Sequence, residues 1–134
     1  SNEDFCQTLA VMKLEGNYLQ IDALHMGAAH GVFYLRLLPG CDVYRGHFPG
    51  NPVCPGVCHI EMLRECVMKL VGVKVFISSV KQCRLTAVSD PLSCSELKLT
   101  VSLEKTDEGY AVSALLEDEE KTYMEYRGSM AVDL

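Results

Sequence analysis

The most conformationally restricted part of the chain is a window of sixteen residues, 46–61. It reads GHFPGNPVCPGVCHIE and contains three prolines and three glycines. Proline fixes φ and glycine permits turns that other residues cannot adopt, so the first part of the window predicts a stiff loop that presents His47. After Pro55 the apolar residues recur at intervals of three and four, which predicts a helix that begins near Pro55, with Glu61 close to its start.

Length and composition predict one globular domain over residues 1–134. The chain is 49% hydrophobic, enough to form a core, and contains no repeat or linker that would divide it. No apolar run approaches the ~20 residues that cross a bilayer, and the N-terminus lacks a basic stretch followed by an apolar one. We therefore expect a soluble, cytoplasmic protein without a membrane span.

The charge distribution argues against nucleic acid as a partner. The formal net charge is −6, and acidic residues are concentrated in the last third of the chain. Basic residues lie mainly in the first two thirds, between Arg36 and Arg84. Two interpretations stay open here: a local positive patch near the restricted window, or a solvated surface of mixed charge.

The seven cysteines, an odd number, do not resemble a disulfide framework, and we expect reduced thiols. Cys54, Cys58 and His59, with His47 upstream, can be drawn as a metal site. However, the Cys-x2-Cys pairs of structural zinc are missing from this arrangement. Nothing in the sequence identifies a partner base for a nucleophilic Cys54 or Cys58. The sequence therefore predicts neither a metal ion nor a catalytic cysteine.

Outside the window, the hydrophobic pattern predicts a largely antiparallel sheet. Apolar and polar residues alternate over residues 93–105, which is typical of a strand with one buried face. Acidic turn signals at residues 107–109 and 118–120 separate the last three runs. A short opening helix over residues 4–14 is predicted from near-helical spacing. The predicted strands cover residues 18–24, 31–38, 73–85, 93–105, 110–116 and 122–132.

The central helix determines the fold class that these elements predict. Its apolar residues lie on nearly all sides, so it needs cover from more than one direction. A curved antiparallel sheet wrapped around one long helix provides that cover, which predicts an α+β domain with the hot-dog fold. The apolar positions are Val57, Ile60, Met62, Leu63, Cys66, Val67, Met68, Leu70 and Val71.

The window carries a motif with fixed spacing. Gly46-His47-Phe48-Pro49-Gly50-Asn51-Pro52 is followed by Pro55-Gly56-Val57 and then by Glu61, fourteen positions after His47. This pattern resembles the 3-hydroxyacyl-(acyl carrier protein) dehydratases of type II fatty-acid synthesis, whose order of strands also fits. The resemblance implies a hot-dog homodimer, with larger assemblies left open. Each active site would combine His47 of one subunit with Glu61 of the other.

The residue types suit the elimination of water that the resemblance implies. An imidazole titrates near neutral pH, which suits His47 as the base for the Cα proton. Glu61 suits a second role, in which it donates a proton to the departing hydroxyl or orients that group. Backbone amides at the helix start, of Gly56 first and Val57 second, are expected to stabilise negative charge on the thioester oxygen. The matched residues interpreted as scaffold of the loop or substrate tunnel are Phe48, Pro52 and Pro55.

The substrate implied by the resemblance is a 3-hydroxyacyl thioester on the phosphopantetheine arm of an acyl carrier protein. The product would be the trans-2-enoyl thioester of fatty-acid or related polyketide or polyene biosynthesis, formed without a cofactor. Two departures from the family pattern indicate a divergent branch. Residues 85–93 lack the usual basic-Pro and Pro-Gly-Asp elements, and Glu65 stands where the family often has Gln.

Some interpretations of the window stay open. Glu65 lies one turn from Glu61 and is expected either to act on it as a like charge or to face solvent. His59 is interpreted as a helix residue, packed or solvated beside the site. Two other functions are compatible with the pattern: a hot-dog thioesterase that uses Glu61 without His47, and a non-catalytic module that binds an acyl thioester or a protein partner.

Overall fold

The computed structural model describes residues 19–26, 29–37, 56–86 and 96–133. These residues form one α-helix and six β-strands, in the hot-dog arrangement that the sequence predicts. In chain order the elements are β1 (Leu19–Met26), β2 (His30–Leu37), α1 (Gly56–Val71), β3 (Val75–Leu85), β4 (Glu96–Lys105), β5 (Gly109–Glu117) and β6 (Thr122–Val132).

The six described strands form one antiparallel sheet in the order β1-β2-β4-β5-β6-β3. After β2, the next described element along the chain is α1, and the chain then returns at the opposite edge of the sheet as β3. Strands β1 and β3 are therefore the two edges of the described sheet, and the helix is followed directly by an edge strand.

The predicted strands agree with the observed ones, and two of the small differences have a local cause. β3 begins at Val75 rather than at residue 73, because Gly72 ends the helix with a left-handed φ of 74°. β5 begins one residue earlier than predicted, because the backbone N–H of Thr106 donates to the carbonyl of Gly109 at 2.9 Å across the turn. The predicted helix and strand residues that lie outside the described residues are 4–14, 18, 38 and 93–95.

The core lies between α1 and the inner face of the sheet. On β4, Leu97, Leu99 and Val101 are buried while the alternate residues are half-buried or exposed, which confirms the predicted one-sided strand. Partly buried apolar residues of α1, among them Ile60, Met68 and Leu70, pack against the same core. No helix among the described residues has the length and apolar character that crossing a membrane requires. Among the residues of α1 whose burial is described, 59–71, the fully covered apolar ones are Met62, Leu63, Cys66 and Val67.

The edge strand β3 lies very close to β6 at one point. Its register against β6 shifts twice, and Gly128 of β6 pairs with Val80 between the two shifts. A Cβ atom at Gly128 would lie 2.4 Å from the carbonyl oxygen of Ser79 and 3.0 Å from the hydroxyl oxygen of Tyr126. The first contact is with backbone, which cannot rotate away. Glycine is therefore required if β3 is to keep this position.

We expect Gly128→Ala to lower the free energy of unfolding by about 1–3 kcal/mol, because the added methyl forces β3 away from β6. Urea unfolding followed by circular dichroism measures the change. Ser113→Ala, at an exposed position of the neighbouring strand β5, is the matched control and should change stability little. Equal stability of the two variants would contradict the close approach of the strands.

Candidate active site

Glu61 lies in the second turn of α1, near the helix N-terminus, as the sequence predicts. The helix begins at Gly56, so Glu61 is its sixth residue. The Glu61 side chain is 13% exposed, so most of its surface is shielded from water while part of it can still be reached. This is the environment of a carboxylate at the margin of a core rather than of a solvated surface charge.

Arg64, one turn further along α1, binds the Glu61 carboxylate. Its Nε lies 3.0 Å from each carboxylate oxygen, and its Nη2 donates to Oε1 as well. Its Nη1 donates to the carbonyl oxygen of Val75 at 2.9 Å and lies 3.6 Å from the sulfur of Met68. The Arg64 side chain is 17% exposed. A single guanidinium therefore joins the Glu61 carboxylate to the first residue of β3, and we call this arrangement the Arg64 bridge.

The Arg64 bridge defines the hydrogen-bonding role of the Glu61 carboxylate. Both oxygens accept from the guanidinium, and an arginine in a protein is always protonated. The hydrogen bond to Glu61 raises the pKa of Arg64, burial acts in the opposite direction, and the charges of Glu61 and Glu65 add to the increase. In this arrangement Glu61 is an acceptor, and Glu65, which is half-buried, acts electrostatically on the same guanidinium.

The backbone amides predicted to stabilise an oxyanion lie at the start of α1. Gly56 and Val57 are its first two residues, and the first four N–H groups of a helix have no partner within the helix. The first turn carries no acidic side chain that would compete for these donors. The helix dipole adds positive potential at the same place. The start of α1 is therefore suited to binding a negatively charged oxygen.

His59 is a packed core residue, which is one of the two alternatives that the sequence left open. It is 1% exposed, and desolvation by burial lowers its pKa from 6.5 to about 4. The imidazole is thus neutral at pH 7, although it lies only two positions before Glu61. Its burial distinguishes it from a proton-transfer group that faces substrate.

Several predicted site residues lie outside the described residues: His47, Phe48, Pro52 and Pro55. The meeting of His47 with Glu61 therefore stays a prediction. Cys54 and most of the divergent segment 85–93 lie outside as well. Within the described ranges, no group of three or more His, Cys, Asp or Glu side chains is placed to hold a metal ion.

Arg64 is the functional candidate that the sequence reasoning missed. The sequence pattern indicated Glu65 as the charge near Glu61, but the partner of Glu61 lies one residue earlier, at Arg64. The signal was present, because residues three apart on a helix are neighbours and a Glu followed by an Arg at that spacing forms an ion pair. What the sequence does not show is the second end of the bridge, since Val75 is eleven positions away from Arg64.

Residues 26–126 match the model of the ApeI-like dehydratases, described as ApeI dehydratase. The chain belongs to the ApeI-like dehydratase family. The match spans the candidate site, from β1 to β6, and includes both Glu61 and Arg64.

Individual relatives of this ApeI-like chain match it over only part of their length. The 3-hydroxyacyl-(acyl-carrier-protein) dehydratase FabZ of Latilactobacillus sakei is 31% identical over 86 residues, covering 59% of this chain and 61% of the relative. FabZ of Levilactobacillus brevis is 35% identical over 57 residues, covering 37% and 38% respectively. The chain thus spans between about two fifths and three fifths of the length of these relatives.

Solved structures confirm the hot-dog fold. A chain of the dehydratase heterocomplex ApeI:P from Xenorhabdus doucetiae superposes with a TM-score of 0.71 at 19% identity, covering 83% of this chain and 96% of that one. An uncharacterized protein from Erwinia carotovora subsp. atroseptica superposes with a TM-score of 0.55 at 15% identity, covering 82% and 89%. At these identities the likeness concerns the fold alone.

The buried His59 makes stability depend on pH. Its folded pKa of about 4 lies below the 6.5 of an unfolded chain, so the unfolded state binds the extra proton between these values. Stability is therefore complete above pH 6.5 and falls as the pH drops towards 4. At pH 5 the loss attributable to His59 should be roughly 2 kcal/mol relative to pH 7.5.

Urea unfolding of the wild type and of His59→Gln at pH 7.5 and pH 5 checks this expectation. The variant carries no group that titrates in this range at position 59, so its stability should decline less between the two pH values. An identical decline in both proteins would show that His59 is not a buried neutral imidazole.

Proposed function

We propose that the chain removes water from a 3-hydroxyacyl thioester carried by an acyl carrier protein and yields the trans-2-enoyl thioester. The observation that carries the proposal is the Glu61 carboxylate, held in a fixed orientation on the helix whose first turn presents the amides of Gly56 and Val57. Membership of a dehydratase family and the FabZ relatives support the same reaction. The proposed setting is fatty-acid, polyketide or polyene biosynthesis in the cytoplasm.

The proposed reaction divides between three groups. His47 removes the Cα proton, the C–O bond at Cβ breaks, and a double bond forms between these carbons. The amides of Gly56 and Val57 stabilise the negative charge that develops on the thioester oxygen. Glu61 accepts a hydrogen bond from the departing hydroxyl and orients it, which agrees with its acceptor role in the Arg64 bridge. The imidazolium formed at His47 returns a proton to the leaving oxygen, so one water is released.

This chemistry requires no dissociable cofactor and no metal ion. The substrate is brought by the phosphopantetheine arm of the carrier protein, and basic residues of the first two thirds of the chain would attract that acidic partner. The acyl chain would lie along α1 and the inner face of the sheet.

We expect His47→Ala and Glu61→Gln each to reduce kcat/KM for the hydration of a crotonyl thioester roughly 10²–10⁴-fold, because each removes a group that acts on the reacting atoms. Loss of absorbance by the conjugated thioester measures the rate. Circular dichroism of each variant controls for folding. Variants that keep the kcat/KM of the wild type would refute the assigned roles.

The same samples separate the other two functions. Release of free thiol, measured with a thiol reagent, would indicate a thioesterase, and a rate of release undiminished in His47→Ala would argue against elimination. Retention of an acyl thioester without hydration or hydrolysis would indicate a binding module. The proposed function predicts hydration and dehydration with no net thiol release.

We further propose that the chain forms a homodimer through the β3 edge. β3 has eleven residues and one unpaired side in the described sheet. Phe76, Val80 and Leu85 on this strand are large apolar side chains, each 49% exposed. Long apolar edges usually pair or aggregate unless they are covered, and antiparallel pairing with a second copy covers this edge symmetrically. Such a dimer is what allows His47 of one subunit to reach Glu61 of the other.

The double variant Phe76→Lys/Val80→Lys should be monomeric and should lose activity, because charges on the edge oppose strand pairing. Sedimentation equilibrium measures the mass, and the hydration assay measures the activity. Ser113→Lys places the same charge at an exposed position of the interior strand β5 and should remain dimeric. A monomeric wild type, or a dimeric double variant, would contradict this interface.

A further inference from the structure

The Arg64 bridge has two ends, and only one of them is at Glu61. At one end Nε and Nη2 bind the carboxylate, and at the other Nη1 donates to the Val75 carbonyl at 2.9 Å. Val75 is the first residue of β3, and its side chain is 1% exposed. The carbonyl therefore belongs to a strand that is anchored in the core. Arg64 therefore fixes the orientation of the Glu61 carboxylate relative to the sheet as well as to its own helix.

This arrangement differs from an ordinary pair of charges on a helix surface. Exposed pairs at this spacing hold one rotamer weakly, because water competes for both groups. Here the side chains of Glu61 and Arg64 are 13% and 17% exposed, and the contact uses two guanidinium nitrogens at once. Charge-assisted hydrogen bonds are shorter and stronger than neutral ones, and the two-point geometry adds directional specificity. The contact of Arg64 with Met68 restricts the guanidinium further.

A lysine in place of Arg64 would not reproduce the bridge. Its ammonium is a single charged point, whereas the planar guanidinium presents donors in a fixed fork. The three acceptors, two carboxylate oxygens and one carbonyl oxygen, lie in directions that the fork satisfies together. The geometry therefore selects arginine by shape as well as by charge.

We propose that Arg64 is a positioning residue for the dehydratase reaction: it holds the Glu61 carboxylate in the orientation that receives the substrate hydroxyl. Arg64 touches no reacting atom and acts through Glu61. This inference rests on the proposed function, because it takes Glu61 to be the group that contacts the hydroxyl. Removing the bridge should therefore slow the chemical step while binding of the acyl thioester is largely kept.

Steady-state hydration of a crotonyl thioester by Arg64→Met, Arg64→Lys and Arg64→Ala tests the inference. Misplacing a reacting group by about 1 Å lowers the rate on the order of 10²-fold, so Arg64→Met should lose kcat on that scale with little change in KM. Arg64→Lys should also be impaired. Adding ethylguanidinium should restore part of the kcat of Arg64→Ala, whereas ethylammonium should not. A role in folding alone would not respond to the shape of an added cation.

Arg127→Met is the matched control, since Arg127 is exposed on β6 between two buried residues and thus faces away from the core. It should keep the kcat and KM of the wild type. Unchanged kcat in folded Arg64→Met and Arg64→Lys would overturn the inference. A rise in KM without loss of kcat would overturn it equally, because the effect would then lie in substrate binding.

A measurement that needs no activity distinguishes failure of this inference from failure of the proposed function. In spectra of ¹⁵N-arginine-labelled protein, the Nε–H signal of Arg64, assigned by its loss in Arg64→Lys, should persist against exchange and shift in Glu61→Gln. If the wild type shows this signal but no hydratase activity, the bridge stands and the proposed function fails. If the wild type is active and the Nε–H signal exchanges freely in both proteins, the bridge fails and the proposed function stands.

Discussion

The burial of one face of α1 against the sheet determines where the candidate functional atoms lie. Met62, Leu63 and Val67 are fully buried, and burying such a side chain contributes roughly 1.5–3 kcal/mol each. An exposed ion pair contributes about 0–1 kcal/mol, and shielding adds a desolvation cost to its attraction. The apolar face therefore fixes the rotation of α1 about its axis and its position on the sheet. The Glu61–Arg64 pair orients side chains on a helix that is already placed.

Once the apolar face is fixed, helical geometry places the polar groups. Residues three and four apart share one side of a helix, so Glu61, Arg64 and Met68 form a stripe along α1. This stripe borders the start of β3, because Arg64 reaches the Val75 carbonyl. β3 is also the edge at which we propose that a second subunit pairs. The Glu61 carboxylate therefore lies near the proposed interface because only a short connection separates α1 from the edge strand β3.

Patterns confined to one element could be predicted from the sequence, and contacts between elements could not. The alternation on β4 and the helical spacing after Pro55 gave the correct element types, because burial of one face imposes a period on the residues. The side-chain burial of His59 and the bridge from Arg64 to Val75 depend on how α1 meets the sheet, which no local period encodes. The need for glycine at 128 arises similarly, from a neighbouring strand that is remote in sequence.

The acceptor role of Glu61 has a consequence for the geometry of the proposed elimination. Both carboxylate oxygens of Glu61 accept hydrogen bonds from the guanidinium of Arg64, which favours a role in orienting the leaving hydroxyl. In the mechanism that we propose, the proton that leaves with water comes from the imidazolium that His47 becomes when it removes the Cα proton. A single imidazole can reach both the Cα proton and the hydroxyl oxygen on Cβ only from one side of the substrate. In the proposed elimination, the proton and the hydroxyl therefore depart from the same face. In the proposed mechanism, Arg64 and Glu61 thus orient the leaving group, and His47 is the single proton-transfer group.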